Sequence, residues 1–369
     1  MLKKVVGFIC EVDDPFDSNI MNGSFGGSET WIFKMAEQFM NNGYHVIIFN
    51  NLSYNHIYMD MEFVQLSYLD DRLSYQYFTH IFINRQYNPD IIDLIKKHGC
   101  CDNVYFIAHD LRVWKNTATY RYIDDKNTFV GLEDIHNDEW SKKHIHNLFV
   151  MSDWHKEYNL DYYDPEFIKI IGNGIHIDNI SNDNRDNNIL WSSCYNRGLD
   201  VLVEKIAPII LEHIPDFKIY TCSYSQELQE QYNNLPYIIN LGKLSKEQLY
   251  NEMRKHKVTF LPLTHWETFC ITILENILND VEVVCPFKYG IKTTMKYFES
   301  LLIEDGDYND IEYCNYVADN ILNKINNYHT NQDIRTILKS YISDNYSWEM
   351  MFNKLYNYIK LYETDNSNN

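Results

Sequence analysis

Each half of this chain opens with a short apolar strand, a glycine-bearing turn and an amphipathic helix, and that unit leaves little choice of fold. Lys4 to Cys10 reads as a buried strand, followed by an acidic and polar loop with Gly23, Gly26 and Gly27. Ser28 is a good helix N-cap. Ile32, Met35, Ala36, Phe39 and Met40 then recur at helical spacing until Gly43, and Tyr44 to Phe49 is the next strand. In the second half, strand Ile189 to Ser193 leads through Cys194, Tyr195 and Asn196 to Arg197 and Gly198. A helix follows with Leu199, Leu202, Val203 and Ile206 on one face. Strands separated by helices build parallel sheets with helices on both faces, so the chain is expected to form two doubly wound α/β domains facing each other.

Further strands are expected at Thr79–Ile83, Val104–Ala108, Asn147–Met151, Ile168–Ile171, Phe217–Cys222, Tyr237–Leu241, Val258–Leu261 and Val281–Cys285, with a short one at Leu301–Glu304. Ser245 with Gln248 has the pattern of a capping box. The pattern restarts after Gly172, Asn173 and Gly174, and Ile180 to Asn188 is a polar connection, so the domain boundary belongs there. Residues 1–175 form the expected first domain and 176–344 the second. A helix over 345–362 has Trp348, Met351, Leu355, Tyr358 and Ile359 as its apolar stripe, and 363–369 is a polar tail.

With 369 residues, two cores can form, and 45% hydrophobic content excludes a disordered chain. The formal charge of −20 argues against a general nucleic-acid binder, since no excess of lysine and arginine is present to replace phosphate counterions. No apolar run reaches membrane-spanning length. The eight cysteines show no C-x-x-C pair and read as reduced core thiols of a cytoplasmic protein. The wealth of Asn, Ile, Tyr and Asp reads as the coding bias of an AT-rich or viral genome.

Chemistry concentrates between Leu261 and Pro286. Glu267 and Glu275 stand eight positions apart, which on one continuous helix is roughly 80° around the axis. An anionic ligand at that helix mouth would meet backbone amides and a carboxylate on either side. For two spaced carboxylates alone, a helix-favouring and a solvated residue is the plainer account. Arg197 could clamp a phosphate or pair with a surface aspartate such as Asp200, the commoner fate of an isolated arginine. His109 and Asp110 end a strand at a carboxyl edge, where open parallel sheets bind ligands; a histidine that only bonds a backbone carbonyl is the alternative. His136, Glu139, His144 and His146 match no standard metal-ligand spacing, and no metal site is expected. The loop at Gly26 and Gly27 lacks the third glycine of a dinucleotide fingerprint.

Taken in order, these motifs resemble those of the retaining GT-B-fold glycosyltransferases of family 4, along nearly the full chain. Glu267-Thr268-Phe269-Cys270 through Glu275 is similar to that family's paired-glutamate signature, in the wording of one branch. Gly26-Gly27-Ser28-Glu29 resembles its N-domain glycine loop, Asn173-Gly174-Ile175 its interdomain turn, and Ser192, Ser193, Arg197, Gly198 and Leu199 the start of its donor domain.

The resemblance implies a nucleotide-sugar donor, a UDP- or GDP-sugar, no cofactor and no metal. It implies that Glu275 accepts hydrogen bonds from the ribose hydroxyls and Glu267 from the donor sugar. Amides of Phe269, Cys270 and Ile271 would meet sugar or diphosphate, and Arg197 would offset the diphosphate charge. Backbone of Lys243 and Leu244 would meet the base, Gly26 and Gly27 the diphosphate from the opposite domain, and His109 would lie beside donor sugar and acceptor. The acceptor, a glycan, protein or lipid glycan, would touch loops such as 51–66 and 112–137. The chain departs from the family where a second cation is usual, since Ser192 stands there, with Lys243 or Lys288 as substitutes. The glycine after the signature helix is replaced near Asn279 and Asp280. An epimerase or hydrolase with the same donor site, or a scaffold that has lost turnover, are the alternatives.

Overall fold

The computed structural model describes residues 3–11, 15–20, 23, 25–111, 114–115, 138–176, 184–223 and 227–365. By contacts the chain divides into two compact units. One comprises Met1–Ile20, Ser28–Asn173 and Met351–Asn369; the other comprises Met21–Gly27 and Gly174–Met350.

The first unit is built on an eight-stranded sheet. In chain order its strands are β1 (Val5–Cys10), β2 (His45–Asn50), β3 (His56–Tyr58), β4 (Met61–Gln65), β5 (Phe78–Asn84), β7 (Cys101–Ile107), β9 (Ile145–Val150) and β10 (Ile168–Ile170), while β6 (Gln86–Tyr87) pairs with β8 (Trp114–Lys115) outside it. Across the sheet the order is β10-β9-β7-β5-β1-β2-β4-β3, with every pairing parallel except β3 with β4. The chain steps outward from β1 through β2 and then crosses back to β5, so the strand order reverses between β1 and β5. In such sheets the carboxyl ends at the reversal form a crevice.

Helices α1 (Gly27–Asn41), α2 (Leu69–Tyr75), α3 (Pro89–His98), α4 (Glu139–His144) and α5 (Asp153–Asn159) connect these strands. Helix α1 starts at Gly27 and takes Ser28 into its first turn, two residues earlier than a Ser28 cap requires. Its buried stripe of Trp31, Ile32, Met35, Ala36 and Phe39 meets the sheet through Phe8 and Phe82. The hairpin of β3 and β4 escapes the periodicity argument because its strands are short and Ile57 and Met59 point to solvent.

The second unit has a five-stranded, all-parallel sheet. Its strands are β11 (Asp186–Trp191), β12 (Ile219–Cys222), β13 (Ile238–Gly242), β14 (His256–Phe260) and β15 (Glu282–Val284), in the order β13-β12-β11-β14-β15. Here the reversal falls between β11 and β14. The expected strand at Leu301–Glu304 is reduced to a single bridge between Pro286 and Ile303, with Leu301 in a tight helical turn.

Its helices are α6 (Ala207–His213), α7 (Glu230–Asn233), α8 (Lys246–Met253), α9 (Ile271–Leu278), α10 (Ile291–Thr294), α11 (Ile311–Asn326) and α12 (Gln332–Tyr346). Residues Val201–Ile206 lead into α6 as a widened helical turn just ahead of Pro208, whose missing N–H removes a regular rung. The capping box is present in full: Ser245 Oγ accepts from Gln248 N at 3.2 Å and Gln248 Oε1 from Ser245 N at 2.9 Å.

The helix expected over 345–362 starts later and runs further, as 345 and 346 close the preceding helix. Tyr346 ends α12, Ser347 is extended, and α13 (Trp348–Asp365) begins with Met350 N donating to Ser347 Oγ at 3.2 Å. Ser347 bridges to Ile175, and Ile175 N donates to Tyr346 O at 2.9 Å. Further along α13, Phe352 packs edge-on against Phe39, and Tyr362 stacks on His146, so this helix covers the first unit's α1 and sheet. Of the polar tail, residues 366–369 lie outside the described residues. All eight cysteines are buried thiols. Among the described residues no helix is long and apolar enough to cross a membrane.

Candidate functional site

In the second unit the reversal between β11 and β14 brings two turns together. The turn after β11 carries Arg197 and Gly198. Gly198 has φ 108°, and a Cβ there would come within 2.5 Å of Pro262 Cγ and 3.0 Å of Thr264 Oγ1, so only glycine lets this turn lie against the one after β14. As a result Arg197 Nη1 reaches Glu267 Oε2 at 2.8 Å, seventy residues away in sequence. The arginine side chain is 45% exposed and the glutamate 20%, which leaves the pair open to exchange with a ligand.

Glu267 does not lie on the helix with Glu275, so the wheel angle drawn from their spacing does not apply. Cys270 takes φ 68°, and α9 starts only at Ile271. Glu267 instead folds back onto the helix mouth, where its Oε1 accepts from Cys270 N at 3.1 Å and from Phe269 N at 3.4 Å. These are two of the amides expected to meet an anionic ligand, and a carboxylate of the chain itself occupies them. The backbone of Glu267 is fixed from behind: Gly290 N donates to its carbonyl at 2.8 Å, and a Cβ on Gly290 would strike Thr268 O at 2.3 Å. Leu263, Cys270, Asp280 and Tyr289, all non-glycine, adopt positive φ around this stretch, a concentration of strain typical of ligand sites. Asp280, rather than Asn279, takes the left-handed conformation after α9.

Glu275 is 5% exposed, on the face of α9 that packs toward α8. Its Oε1 accepts from Lys246 Nζ at 2.6 Å and from Tyr250 OH at 2.8 Å. Sequence reasoning missed both partners. The signal was available in part, because Lys246 and Tyr250 stand four apart, on one face of a capped helix. Lys246 thus supplies a cation at Glu275, whereas Lys288 is engaged by Asp305 at 2.7 Å. Lys243 and Leu244 follow β13 at the carboxyl edge, Leu244 packing against the small cluster that includes Tyr250 and Met253. Gly26 and Gly27 belong by contacts to this second unit, and a Cβ on Gly27 would come within 2.8 Å of Ile271 Cδ1.

His109 lies in the first unit, past the end of β7. Its ring meets Trp31 edge-on, and burial, with the Arg85 charge adding to it, lowers its pKa to about 3, so it is a neutral imidazole at pH 7. Close by, His155 is fixed as one tautomer: Nδ1 accepts from Met151 N at 3.2 Å and Nε2 donates to Leu111 O at 3.0 Å. Arg85, which sequence reasoning did not single out, forks onto Asp110 with Nε to Oδ2 at 3.0 Å and Nη2 to Oδ1 at 3.1 Å. Of the four residues weighed as metal ligands, His144 stacks on Trp140, His146 stacks on Tyr362, and His136 lies outside the described residues, as does nearly all of loop 112–137.

No protein-family model and no curated protein matches this sequence. Solved structures do match. Sucrose-phosphate synthase of Thermosynechococcus elongatus is similar over 100% of both chains, with 13% identity and a TM-score of 0.70. A glycosyltransferase of Rickettsia africae is similar over 98% of both, with 14% identity and a TM-score of 0.64. HepE of Anabaena, solved with UDP and glucose, is similar over 97% of this chain and 99% of its own, with 13% identity and a TM-score of 0.65. Likeness at such identity speaks for fold alone: the chain has the GT-B fold, two Rossmann-like domains built on parallel sheets.

Proposed function

We propose that this chain is a retaining glycosyltransferase of the family 4 type, moving a sugar from a UDP- or GDP-sugar to a glycan, protein or lipid-glycan acceptor in the cytoplasm, without a metal. The observation that carries this reading is Glu267, whose carboxylate bridges Arg197 and the first amides of α9 at the strand reversal. Glu267 itself stands where an anion would sit. A donor diphosphate would take over the guanidinium and amide positions, releasing the carboxylate to accept hydrogen bonds from the donor sugar. Ile271 N belongs to the same helix mouth. Glu275, held through Oε1, would turn its other oxygen to the ribose hydroxyls, and the backbone at Lys243 and Leu244 would border the base. Gly27 brings backbone without a side chain to the start of α9, and Gly26 beside it would approach the diphosphate with it.

Departure of a nucleoside diphosphate from the anomeric carbon leaves negative charge on phosphate. Arg197 and the amino end of α9 would stabilise it by position and charge. A donor phosphate oxygen on the same face would take the acceptor's proton, so no protein nucleophile is assigned. His109, kept neutral, would contribute a hydrogen bond rather than a charge.

Thermal-shift and calorimetric titration with UDP, GDP, ADP and their sugars tests the donor, UDP first because a similar structure holds it. Glu275→Ala should chiefly weaken nucleotide binding, and Arg197→Ala should chiefly lower turnover. Unchanged transfer in both variants would sink the assignment. Product analysis with and without acceptor separates transfer from hydrolysis or epimerisation.

A further inference from the structure

At the reversal point of the first unit's sheet, Asn84 ends β5 with only 3% of its surface exposed. Neither Nδ2 nor Oδ1 of its carboxamide has a hydrogen-bond partner among the described residues. A buried amide that bonds nothing is costly, and such a group asks for an account. Its direction follows from register. Asn84 is level with Cys10 of β1, as Phe82 is level with Phe8, and in-register neighbours of a parallel pair point to the same face. Phe8 and Phe82 both pack on Phe39 of α1, and the charge of Glu29 on α1 helps to raise the Cys10 thiol. Asn84 therefore points toward the first turn of α1, beyond the carboxyl ends of β1 and β5.

The surroundings are polar and fixed. Next in sequence, Arg85 has φ 63°, an unusual conformation for so large a residue. That twist sends its guanidinium to Asp110, to Glu29 Oε1 at 3.6 Å and to Ser28 Oγ at 3.4 Å. On the other side, Glu11 follows β1 and accepts from Asn88 Nδ2 through both oxygens, at 3.0 and 3.1 Å. Among the described residues, this edge thus carries the three carboxylates of Glu11, Glu29 and Asp110 against the one guanidinium of Arg85, which Glu29 and Asp110 flank.

We propose that this edge of the first unit binds an uncharged polyhydroxylated ring, with Asn84 reading its hydroxyls. A carboxamide both donates and accepts, as a hydroxyl does, and carboxylates accept from further hydroxyls. The excess of carboxylate repels a phosphorylated or acidic ligand. The proposal rests on the glycosyl-transfer reading only in naming the ring as the acceptor, which is then a neutral sugar and not a sugar phosphate.

Saturation-transfer NMR on the full chain tests it, with the methyl glycosides of glucose, galactose, mannose and N-acetylglucosamine, each with and without UDP, and glucose 6-phosphate as the charged comparator. At least one neutral glycoside should bind and the phosphate should not. Asn84→Leu should weaken that glycoside about tenfold or more. Asn84→Asp, nearly the same shape with a fourth negative charge and no amide donor, should weaken it as well, and it decides the matter where the leucine variant does not fold. The proposal is overturned if no neutral glycoside binds the wild-type chain, if glucose 6-phosphate binds equally well, or if folded variants keep wild-type affinity, which would assign Asn84 to a buried water. Absence of UDP binding, read in the same samples, counts against the donor site and leaves the sugar arm intact.

Discussion

Both units place an arginine at the carboxyl edge of a parallel sheet, next to a strand reversal and against carboxylates, yet the two arginines are built for different work. Arg85 is largely buried, forks onto Asp110 and also neighbours Glu29. Arg197 is nearly half exposed and holds Glu267 through a 2.8 Å contact. Burial makes the first set expensive to separate, because Glu29, left behind without the guanidinium, would be a poorly solvated charge and Asp110 would lose both of its bonds to it. The second is cheap to open, because water solvates the half-exposed guanidinium once they part and the backbone amides of Phe269 and Cys270 still hold the carboxylate. The first arrangement suits a fixed wall, and the second suits a group that changes partner when a ligand arrives.

The largest expected effect comes from breaking the wall. Arg85→Ala should cost about 3 kcal/mol of the first unit's stability, seen by urea unfolding followed at first-unit amides. Arg85→Gly should be less damaging by about 1 kcal/mol, since glycine accepts the positive φ that alanine resists. Equal losses in the two variants would mean that the backbone there is not strained.

Acid should also separate the two units. Burial lowers His155 to about 4 and, with neighbouring imidazoles, His146 to about 4. Groups whose folded pKa is depressed stabilise fully above their unfolded value near 6.5 and lose that contribution as pH falls through it. For the wholly buried His155 the loss at pH 5 is about 2 kcal/mol. In the second unit His256 runs the other way. Burial opposes its charge, but Asp186 at 2.8 Å and Glu252 at 3.4 Å outweigh it and raise the pKa. Its contribution is complete below the unfolded value and is lost as pH rises through the folded one. Hydrogen exchange at pH 5 and pH 7.5, corrected for intrinsic rates, should show β9 and α5 losing protection in acid while β11 and β14 hold theirs. Parallel behaviour of the two units would refute this contrast.

How far the sequence disclosed the molecule depends on the range of the interactions involved. Strand cores and the helix stripes of α1 and α9 repeat every two or 3.6 residues, so they could be read locally. Glu267, Glu275 and Arg197 could be singled out by residue type and position. Their connections could not. The fold-back of Glu267 depends on a left-handed Cys270, a choice that no local preference announces. Lys246 reaches Glu275 across 29 positions, and Arg85 reaches Asp110 across 25, pairings that exist only once the sheets have set strand order. Asn84 carries no motif at all, and its interest lies wholly in being buried without a hydrogen-bond partner among the described residues.

Lys246 and Tyr250 offer a test intermediate between wall and switch. Removing either donor leaves a buried carboxylate with one bond fewer. Lys246→Met should therefore weaken UDP binding about tenfold, near 1.4 kcal/mol, and Tyr250→Phe somewhat less. Unaltered affinity in both would show that Glu275 does not need to be held in place for the ribose.

The smallest stability change should follow Arg197→Ala. Its guanidinium gains little from Glu267, because water competes for the half-exposed guanidinium and ordering two side chains costs entropy. The unfolding midpoint should move by no more than about 0.5 kcal/mol in stability, even though turnover falls. That dissociation is the sharpest test of the contrast between the two arginines. A group whose task is to meet phosphate charge in the transition state adds little to folding stability, and its absence is felt only when charge develops. A loss of stability close to that of Arg85→Ala, with turnover per folded molecule unchanged, would make Arg197 a second wall, and the exchange with Glu267 would have to be abandoned.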